Sequence, residues 1–472
     1  MKTQHLFQRN VRQPVCRLPV DVLVQCLSFL SSAKDQLSVI RVCRHLRAHV
    51  IDSPSLWTCV NQIHHPTALS FVLERAKGTP IDILNLRVGP DNDQLLAVAA
   101  HMRHIRTLNL HIDHDLLTDA CTAFSTPAPL LQALSIHGSR SHFIKVNWSA
   151  LIASNCPRLS RFQTSYGGLD GSVWGWLPAI QSLHTFSLDF VQISAGIILE
   201  YISKRLPTVT TMNLQLMGWD PSARSPSRPT LHRINIRWIK PGPFVPGETI
   251  PDHESWNSVP VIYVAHVSDS PSGPSQADLT GAIFPIPAQA IPYRRLWIRT
   301  SGQNVHVRVV HQDERERVFC GLHPTTVSGV PARIPGLELT TLTVATTAIA
   351  LSVLSNSTWP ALRRLRLVYD THDTAWVSVF ARDAFNIPTL EYLEMSIDQY
   401  VVSDWNATTA SRVLGCCIAA GHVLQKVSFL GFAPEPRCVA GAEVFADEVV
   451  VERWWREPES ERVWFTEPAF EW

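Results

Sequence analysis

Residues 18–57, LPVDVLVQCLSFLSSAKDQLSVIRVCRHLRAHVIDSPSLW, decide the fold of the N-terminal region. Pro19 suits the first position of a helix, because its φ is fixed near the helical value and its missing N–H would be unpaired there. Apolar residues recur at helical spacing in two runs: Val22, Leu23, Cys26, Leu27 and Leu30, then Leu37, Ile40, Cys43, Leu46 and Val50. We predict two helices, the second capped by Asp35 and followed by a final turn that holds Trp57.

Four short motifs follow one another along this stretch: Leu18-Pro19, Ser28-Phe29-Leu30, Val42-Cys43-Arg44 and Leu56-Trp57. In their residue types and order the chain resembles the F-box family. It departs from the family pattern at Asp21, where Glu is usual, and at His45-Leu46-Arg47, where Arg-aromatic-Arg is usual. The resemblance implies a helical module over residues 16–63 that docks on a Skp-type adaptor and, through it, on the cullin of a cullin–RING ubiquitin ligase.

The resemblance also implies which side chains form the adaptor-facing apolar surface and its support. They are Leu18, Pro19, Val22, Leu23, Cys26, Leu27, Leu30, Val42, Cys43, Leu46 and Trp57. An ordinary three-helix cap on a larger domain is the alternative interpretation of the same pattern.

Composition limits the classes of function. The 41 basic and 40 acidic residues give no net field that would favour nucleic acid or an anionic membrane. The ten cysteines show neither a disulfide framework nor zinc spacing, so we expect a reducing compartment, cytoplasmic and/or nuclear. Residues 1–15, which we expect to be flexible, lack the apolar core of a secretory signal, and no apolar run is long enough to predict a membrane span.

A second pattern, apolar-x-x-apolar-x-apolar, begins at residue 81, and its first seven copies start 22 to 28 residues apart. This period is typical of leucine-rich repeats, in which each repeat is a strand and a return segment. The copies start at Ile81, Ile105, Leu131, Leu159, Leu183, Val209, Leu231, Val259, Tyr293, Leu339, Leu362, Leu390 and Leu424. We therefore predict an α/β fold, with the helical module followed by a leucine-rich-repeat-like solenoid over residues 64–443. Return helices are predicted at 91–101, 194–205, 374–385 and 407–420.

The repeat is least regular between residues 218 and 292, where prolines crowd the sequence and predict long insertions. A boundary between two sub-arrays is predicted within 240–290. Residues 444–472 contain Trp454, Trp455, Trp464 and Trp472 among acidic residues. We predict that this tail covers the open end of the last repeat, since terminal repeats need caps.

Side chains alternate along a strand, so the residues between the apolar positions are predicted to face outward. In the second half of the array this outward set is basic and aromatic: Arg233, Arg237, Tyr263, Arg295, Trp297, Arg299, Arg364 and Arg366. Arginine forks and aromatic rings are common interface anchors. We predict a target-binding surface here, suited to an acidic or phosphorylated segment. A solvated face with ordinary arginines is the alternative.

The densest group of possible metal ligands is His101, His104, His111, Asp113, His114 and Asp115. Its residue order does not match a known metallo-hydrolase pattern, so solvent-facing histidines are the favoured interpretation. The glycine-rich segment 166–171 is not followed by Lys-Ser/Thr and predicts a turn rather than a nucleotide loop.

These observations together predict a non-catalytic subunit without a cofactor. The helical module would hold the adaptor and the solenoid would hold an unknown target protein, so that the chain serves as the substrate-recognition subunit of an SCF-type ubiquitin ligase. Two alternatives remain open: a non-ligase scaffold that uses the same adaptor contact, and a metal-dependent enzyme that uses the segment His101–Asp115.

Overall fold

The structure is a computed structural model. It describes residues 14–30, 33–61, 63, 65–89, 92–113, 116, 120, 125–138, 156–165, 182–191, 206–216, 231–239, 259–267, 293–301, 304–322, 339–345, 359–369, 387–397, 414–415, 423–431 and 436–452. The chain divides into two compact units, residues 1–216 with 223–231 and residues 217–222 with 232–472. The division falls ahead of the range 240–290 in which we expected a boundary.

Unit 1 begins with the predicted helical module. Its helices are α1 (Val20–Ser28), α2 (Ala33–Val42) and α3 (Arg44–Ile51), with 3-10 turns at Pro14–Arg17 and Pro54–Trp57. The predicted second helix is therefore two helices. Cys43 separates them, because its backbone is extended (φ −156°) and its Sγ accepts the Leu46 N–H at 3.4 Å. Asp35 lies in the first turn of α2 rather than at its N-cap, which corrects the second detail of that prediction.

The rest of unit 1 is a parallel sheet with helical returns. Its strands are β1 (Cys59–Asn61), β2 (Ile81–Arg87), β3 (Ile105–Ile112), β4 (Ala133–Gly138), β5 (Arg161–Thr164), β6 (Thr185–Val191) and β7 (Thr211–Leu216). Helix α4 (Pro66–Arg75) follows β1, and α5 (Asp93–His101) with a 3-10 turn (Met102–His104) follows β2. Each strand pairs in parallel with the next one along the chain, as a solenoid requires.

The residues predicted to face the core are buried along most of these strands. Ile105, Leu108 and Leu110 of β3 are fully buried, as are the corresponding residues of β6. Strand β2 differs from this pattern. Ile83 and Leu86 are three residues apart, whereas their partners in β3, Leu108 and Leu110, are two residues apart. The extra residue is accommodated where Asn85 adopts a positive φ of 53°, so Ile83, rather than the predicted Leu84, fills the core.

Unit 2 contains the remaining strands and helix α6 (Pro436–Glu443). The strands are β8 (Arg233–Ile239), β9 (Val261–Val267), β10 (Tyr293–Ser301), β11 (Asn304–His311), β12 (Glu316–Leu322), β13 (Thr341–Ala345), β14 (Arg364–Tyr369), β15 (Tyr392–Ile397), β16 (Leu424–Leu430) and β17 (Ala446–Glu452). The pairings β8–β9–β12 are parallel, β12–β11–β10 are antiparallel, and β10–β13–β14–β15–β16–β17 are parallel.

Two antiparallel strands explain the stretched spacing between Val259 and Leu339. Strands β11 and β12 form a hairpin. Its turn is closed by the His311 N–H, which donates to the Arg315 carbonyl at 2.9 Å, and it places Glu314 at φ 63°. Neither strand carries the three-position apolar pattern, so the sequence did not predict them. The hairpin is inserted between β9 and β10, and β12 takes the place beside β9 that β10 would otherwise occupy.

Every predicted repeat contains a strand, and the predicted α/β class, helices followed by a β-rich solenoid, is confirmed. The predicted return helix at 91–101 corresponds to α5. Those at 194–205 and 374–385 lie outside the described residues, as does all of 407–420 except the helical pair 414–415. The predicted C-terminal cap begins as a strand, β17, of the same sheet. Its tryptophans lie outside the described residues.

Candidate functional site

Helix α1 presents apolar side chains to solvent on one side. Val22 is 41 % exposed and Phe29, at the end of the helix, is 82 % exposed. With the exposed Cys26 between them, these residues have i, i+4, i+7 spacing and form a continuous line on a helix. We call Val22, Cys26 and Phe29 the α1 stripe. Val42, at the end of α2, is also 68 % exposed.

The opposite side of α1 forms the interior of the module. Leu23, Leu46 and Trp57 are buried at 2 %, 6 % and 0 % exposure. The Trp57 indole N–H donates to the Val50 carbonyl at 2.9 Å, and its ring meets Phe71 of α4 edge-on at 5.8 Å. These side chains hold the helices together and cannot touch a partner while the module is folded. They therefore belong to the support of the predicted adaptor surface, and adaptor binding by that surface stays a prediction.

The other predicted adaptor residues remain accessible to different degrees. Pro19, Val22, Cys26 and Val42 are exposed, whereas Leu18, Leu27, Leu30 and Cys43 are half-buried. Phe29, Val20 and Val15 were not predicted as adaptor residues, although their exposures are 82 %, 44 % and 49 %. The signal for Phe29 was present, because it continues the spacing of Val22 and Cys26.

Exposed apolar residues grouped on a small helical module indicate a protein interface. Residues 15–63 match the family model described as F-box-like. The N-terminal module is an F-box-like domain. No curated protein matches the chain in sequence.

The F-box-like domain continues without a break into the solenoid. Its last part, Cys59–Asn61, is strand β1, and Val60 pairs with Ile83 of β2. The contact between Trp57 and Phe71 of α4 also joins the F-box-like domain to the segment that follows it. The boundary that we predicted at residues 63 and 64 therefore separates two segments that share one sheet.

The predicted target-binding residues of unit 2 do not form one exposed surface. Arg364 is exposed, Arg233, Arg237 and Arg295 are half-buried, and Tyr263, Trp297 and Arg366 are buried. The side chain of Arg299 lies outside the described residues. The expectation that Tyr263 and Trp297 would meet a target is wrong, because other side chains cover them.

The side chains that cover these two rings come from neighbouring strands of the same sheet. Tyr263 belongs to a buried cluster with Val318 and Cys320 of β12. The Arg308 guanidinium lies over the Trp297 ring at 4.5 Å from its centre and forms an ion pair with Glu316. Burial raises the pKa of Glu316 above its ordinary value, and the charges of Arg308, Arg233 and Arg317 only partly oppose this shift.

Strands β14 to β17 carry an open groove on their outward face. It encloses about 520 Å³ and is lined by Arg364 and Arg366, both predicted for target binding, together with side chains of β15, β16 and β17. Lys426, Glu394, Glu448 and Glu452 also line it. None of these four was predicted as a binding residue, although Glu394 and Lys426 stand between apolar repeat positions as the arginines do.

The histidine segment does not converge on one point. His104 packs against Gly78, whereas His111 stacks on His137 of β4 with ring centres 4.9 Å apart. Within the described part of the chain, no three His, Cys, Asp or Glu side chains are placed to hold a metal ion. His114 and Asp115 lie outside it, as does the glycine-rich segment 166–171. No helix among the described residues has the length and apolar character to cross a membrane.

Proposed function

We propose that this chain is the substrate-recognition subunit of an SCF-type ubiquitin ligase. F-box domains generally bind Skp-type adaptors, and the observation that carries the proposal is the α1 stripe of Val22, Cys26 and Phe29. A phenylalanine that is 82 % exposed on a folded module is unfavourable in water unless a partner covers it. The adaptor would connect the chain to the cullin, and the solenoid, with repeats of leucine-rich type, would hold the target.

The mechanism is proximity rather than catalysis by this chain. Holding a target beside a ubiquitin-conjugating enzyme that carries ubiquitin converts an encounter between two molecules into a reaction within one complex. The chain itself then needs only two binding surfaces. We place it in the cytoplasm and/or the nucleus, where adaptor and cullin would meet it.

Adaptor binding is tested by two substitutions on the α1 stripe, Val22→Asp and Phe29→Asp. Each would bury a carboxylate without a partner in the contact, which costs several kcal/mol. We expect a loss of affinity of about hundredfold or more in calorimetric titration with a purified Skp-type adaptor. Leu96→Asp is the matched control, because Leu96 is an apolar residue of α5 that is 56 % exposed outside the F-box-like domain. Full adaptor affinity in both stripe variants would refute the proposal.

Leu23→Asp separates folding from contact. Leu23 is 2 % exposed, so a carboxylate there disrupts the packing of α1 on the module. We expect this variant to lose adaptor binding together with protection of residues 20–51 from hydrogen exchange. The stripe variants should lose binding and keep that protection.

The ligase role is tested in cells with proteasome activity blocked. Proteins captured by the full chain should accumulate under this block. Without the block, their lifetimes should depend on the chain. The Phe29→Asp variant should capture the same proteins without shortening their lifetimes. If lifetimes do not respond to the chain at all, it is a scaffold and not a ligase subunit.

A further inference from the structure

The groove on β14–β17 is built from aligned residues of four neighbouring parallel strands. Arg364, Tyr392, Lys426 and Glu448 stand side by side in one register row across the sheet. A second row starts with Arg366 and continues with Glu394 on the next strand. These side chains stand opposite the core residues of the same strands, so the rows face outward.

Charge in the groove is divided between its two sides. Both arginines come from β14, whereas Glu448 and Glu452 come from β17. Lys426 lies between the two sides and contacts Glu448 at 2.9 Å. Glu394 of β15 offsets one of the two arginine charges, so the groove has a side with net positive charge and a side with net negative charge. A ligand with a single sign of charge would be attracted at one side and repelled at the other.

One charged side chain on each side of the groove, Arg364 and Glu452, is available to bind a ligand. The Arg364 guanidinium lies over the Tyr392 ring at 5.1 Å and contacts Glu394 only at 3.7 Å, and its side chain is 49 % exposed. This geometry positions the guanidinium while leaving donors open to solvent. Within the part of the chain that the structure describes, the Glu452 carboxylate makes no ion pair.

The distance between the two sides matches an extended peptide. Neighbouring strands lie about 4.8 Å apart, so three steps from β14 to β17 span about 14 Å. Along an extended chain, side chains four residues apart are on the same face and also about 14 Å apart. Leu430 of β16 and Val450 of β17 add apolar side chains to the groove lining near the anionic side.

We propose that this groove binds an extended peptide segment of a partner protein that carries an acidic and a basic side chain four residues apart. The acidic side chain lies against Arg364 and Arg366, and the basic one against Glu448 and Glu452. This inference rests on the proposed function in one respect: if the chain is a substrate-recognition subunit, the bound peptide is a segment of its target. The three carboxylates that line the groove disfavour the purely acidic or phosphorylated segment that the outward arginines had predicted.

The test uses the full chain and fluorescent five-residue peptides in anisotropy titrations. The first peptide has Glu first, Lys fifth and Val-Thr-Val between them. Two others replace Lys or Glu by Gln, and a fourth moves Lys to the fourth position, where it points to the opposite face. Each of the other peptides lacks one charge-assisted contact or misplaces it, so we expect the first peptide to bind about tenfold or more tighter than each of the others.

Two substitutions connect each peptide charge with its side of the groove. Glu452→Gln should weaken the doubly charged peptide about tenfold and leave the peptide that lacks Lys unchanged. Arg364→Gln should weaken the doubly charged peptide and leave the peptide that lacks Glu unchanged. Asp447→Asn and Arg363→Gln are the matched controls, because both residues are exposed neighbours that do not line the groove. Neither control should change any affinity.

Several outcomes would overturn the inference. Equal affinity for the doubly charged peptide and the peptide without Lys, or displacement by inorganic phosphate, would make the groove an anion site. Equal affinity for the peptide with Lys at the fourth position would refute the spacing. Absence of binding by all four peptides would refute the site. Adaptor titration of the same samples keeps the two proposals apart, because loss of adaptor binding with retained peptide binding refutes only the proposed function.

Discussion

Leu365 and Arg366 are consecutive residues of β14, and both are buried, at 0 % and 7 % exposure. Leu365 points into the core of the solenoid. Arg366 points the other way, where Thr343 of β13 and Glu394 of β15 flank it in the same register row. An outward position in the middle of a sheet is therefore covered by its lateral neighbours even when no core lies over it.

Leu365→Ala should lower the free energy of unfolding by roughly 2–5 kcal/mol, because it leaves a cavity in a packed interior. Arg363→Ala, at an exposed neighbouring position, should change it by no more than about 0.5 kcal/mol. Urea denaturation of the full chain measures both. If Leu365→Ala costs no more than Arg363→Ala, the burial of the predicted repeat positions does not stabilise the fold. Arg366→Ala should cost more than Arg364→Ala, since only Arg366 is buried.

His111 makes unit 1 sensitive to pH. Partial burial, and then the charges of His137 and Arg87, lower the pKa of His111 below its ordinary value of about 6.5. The unfolded chain therefore takes up this proton more readily than the folded chain. The resulting contribution to stability is lost as pH falls from about 7.5 through 6.5 and then below the folded-state pKa.

His111→Gln should reduce the loss of stability between pH 7.5 and pH 5.5. The stability of each variant is measured by urea denaturation at both pH values. His184→Gln is the comparison, because His184 is an exposed histidine of the same unit. An unchanged pH dependence in His111→Gln would show that His111 does not titrate as we infer.

At the scale of the element, the β11–β12 hairpin depends on one buried ion pair. The side chains of Arg308 and Glu316 are 11 % and 9 % exposed. Placing two charges there requires desolvation, which the raised pKa of Glu316 reflects. The pair therefore fixes the geometry of the hairpin more than it adds to stability, whereas the loss of one partner leaves a buried charge uncompensated.

Glu316→Gln should destabilise the chain by roughly 3–5 kcal/mol, and the double variant Arg308→Met with Glu316→Leu should recover most of that loss. Glu314→Gln is the control for an exposed pair. Glu314 contacts Arg294 with side-chain exposures of 66 % and 45 %, so its loss should cost at most about 1 kcal/mol. Thermal and urea unfolding compare the four chains. A double variant less stable than Glu316→Gln would contradict the assignment.

At the scale of the whole molecule, the F-box-like domain and the solenoid are joined by shared structure rather than by a linker. Strand β1 belongs to the domain by sequence and to the sheet by pairing. A truncated chain that starts at Pro66 loses β1 and the Trp57 side chain that packs on Phe71. One that starts at Pro54 keeps both and lacks the helices α1 to α3 and the 3-10 turn Pro14–Arg17 before them.

The chain that starts at Pro66 should be less stable than the chain that starts at Pro54 by roughly 3–5 kcal/mol, the usual cost of losing a buried tryptophan. It should also aggregate more readily, since the edge of β2 is then unpaired. Urea unfolding and light scattering measure the two effects. Equal stability and solubility of the two chains would show that β1 contributes nothing to the solenoid.

The sequence by itself predicted the elements that rest on local pattern. The apolar periodicity of residues 18–57 located the helical module, and the three-position repeat located a strand in every repeat from Ile81 to Leu424. Both signals are local, because side-chain alternation and helical spacing follow from backbone geometry alone. The residues that interrupt a pattern, Cys43 between α2 and α3 and Asn85 in β2, were not predicted, since each is fixed by a specific backbone conformation.

Only the tertiary structure decided which patterned residues are surface and which are interior. Leu23 and Val22 are adjacent in sequence and equally apolar, yet packing of α1 on α3 and Trp57 buries the first and leaves the second exposed. Arg364 and Arg366 share one outward register, yet lateral neighbours cover the second alone. The β11–β12 hairpin buries Trp297, and the pairing of β14 to β17 brings arginines and glutamates from distant segments into one groove. Such contacts join residues far apart in the chain, so no local pattern encodes them.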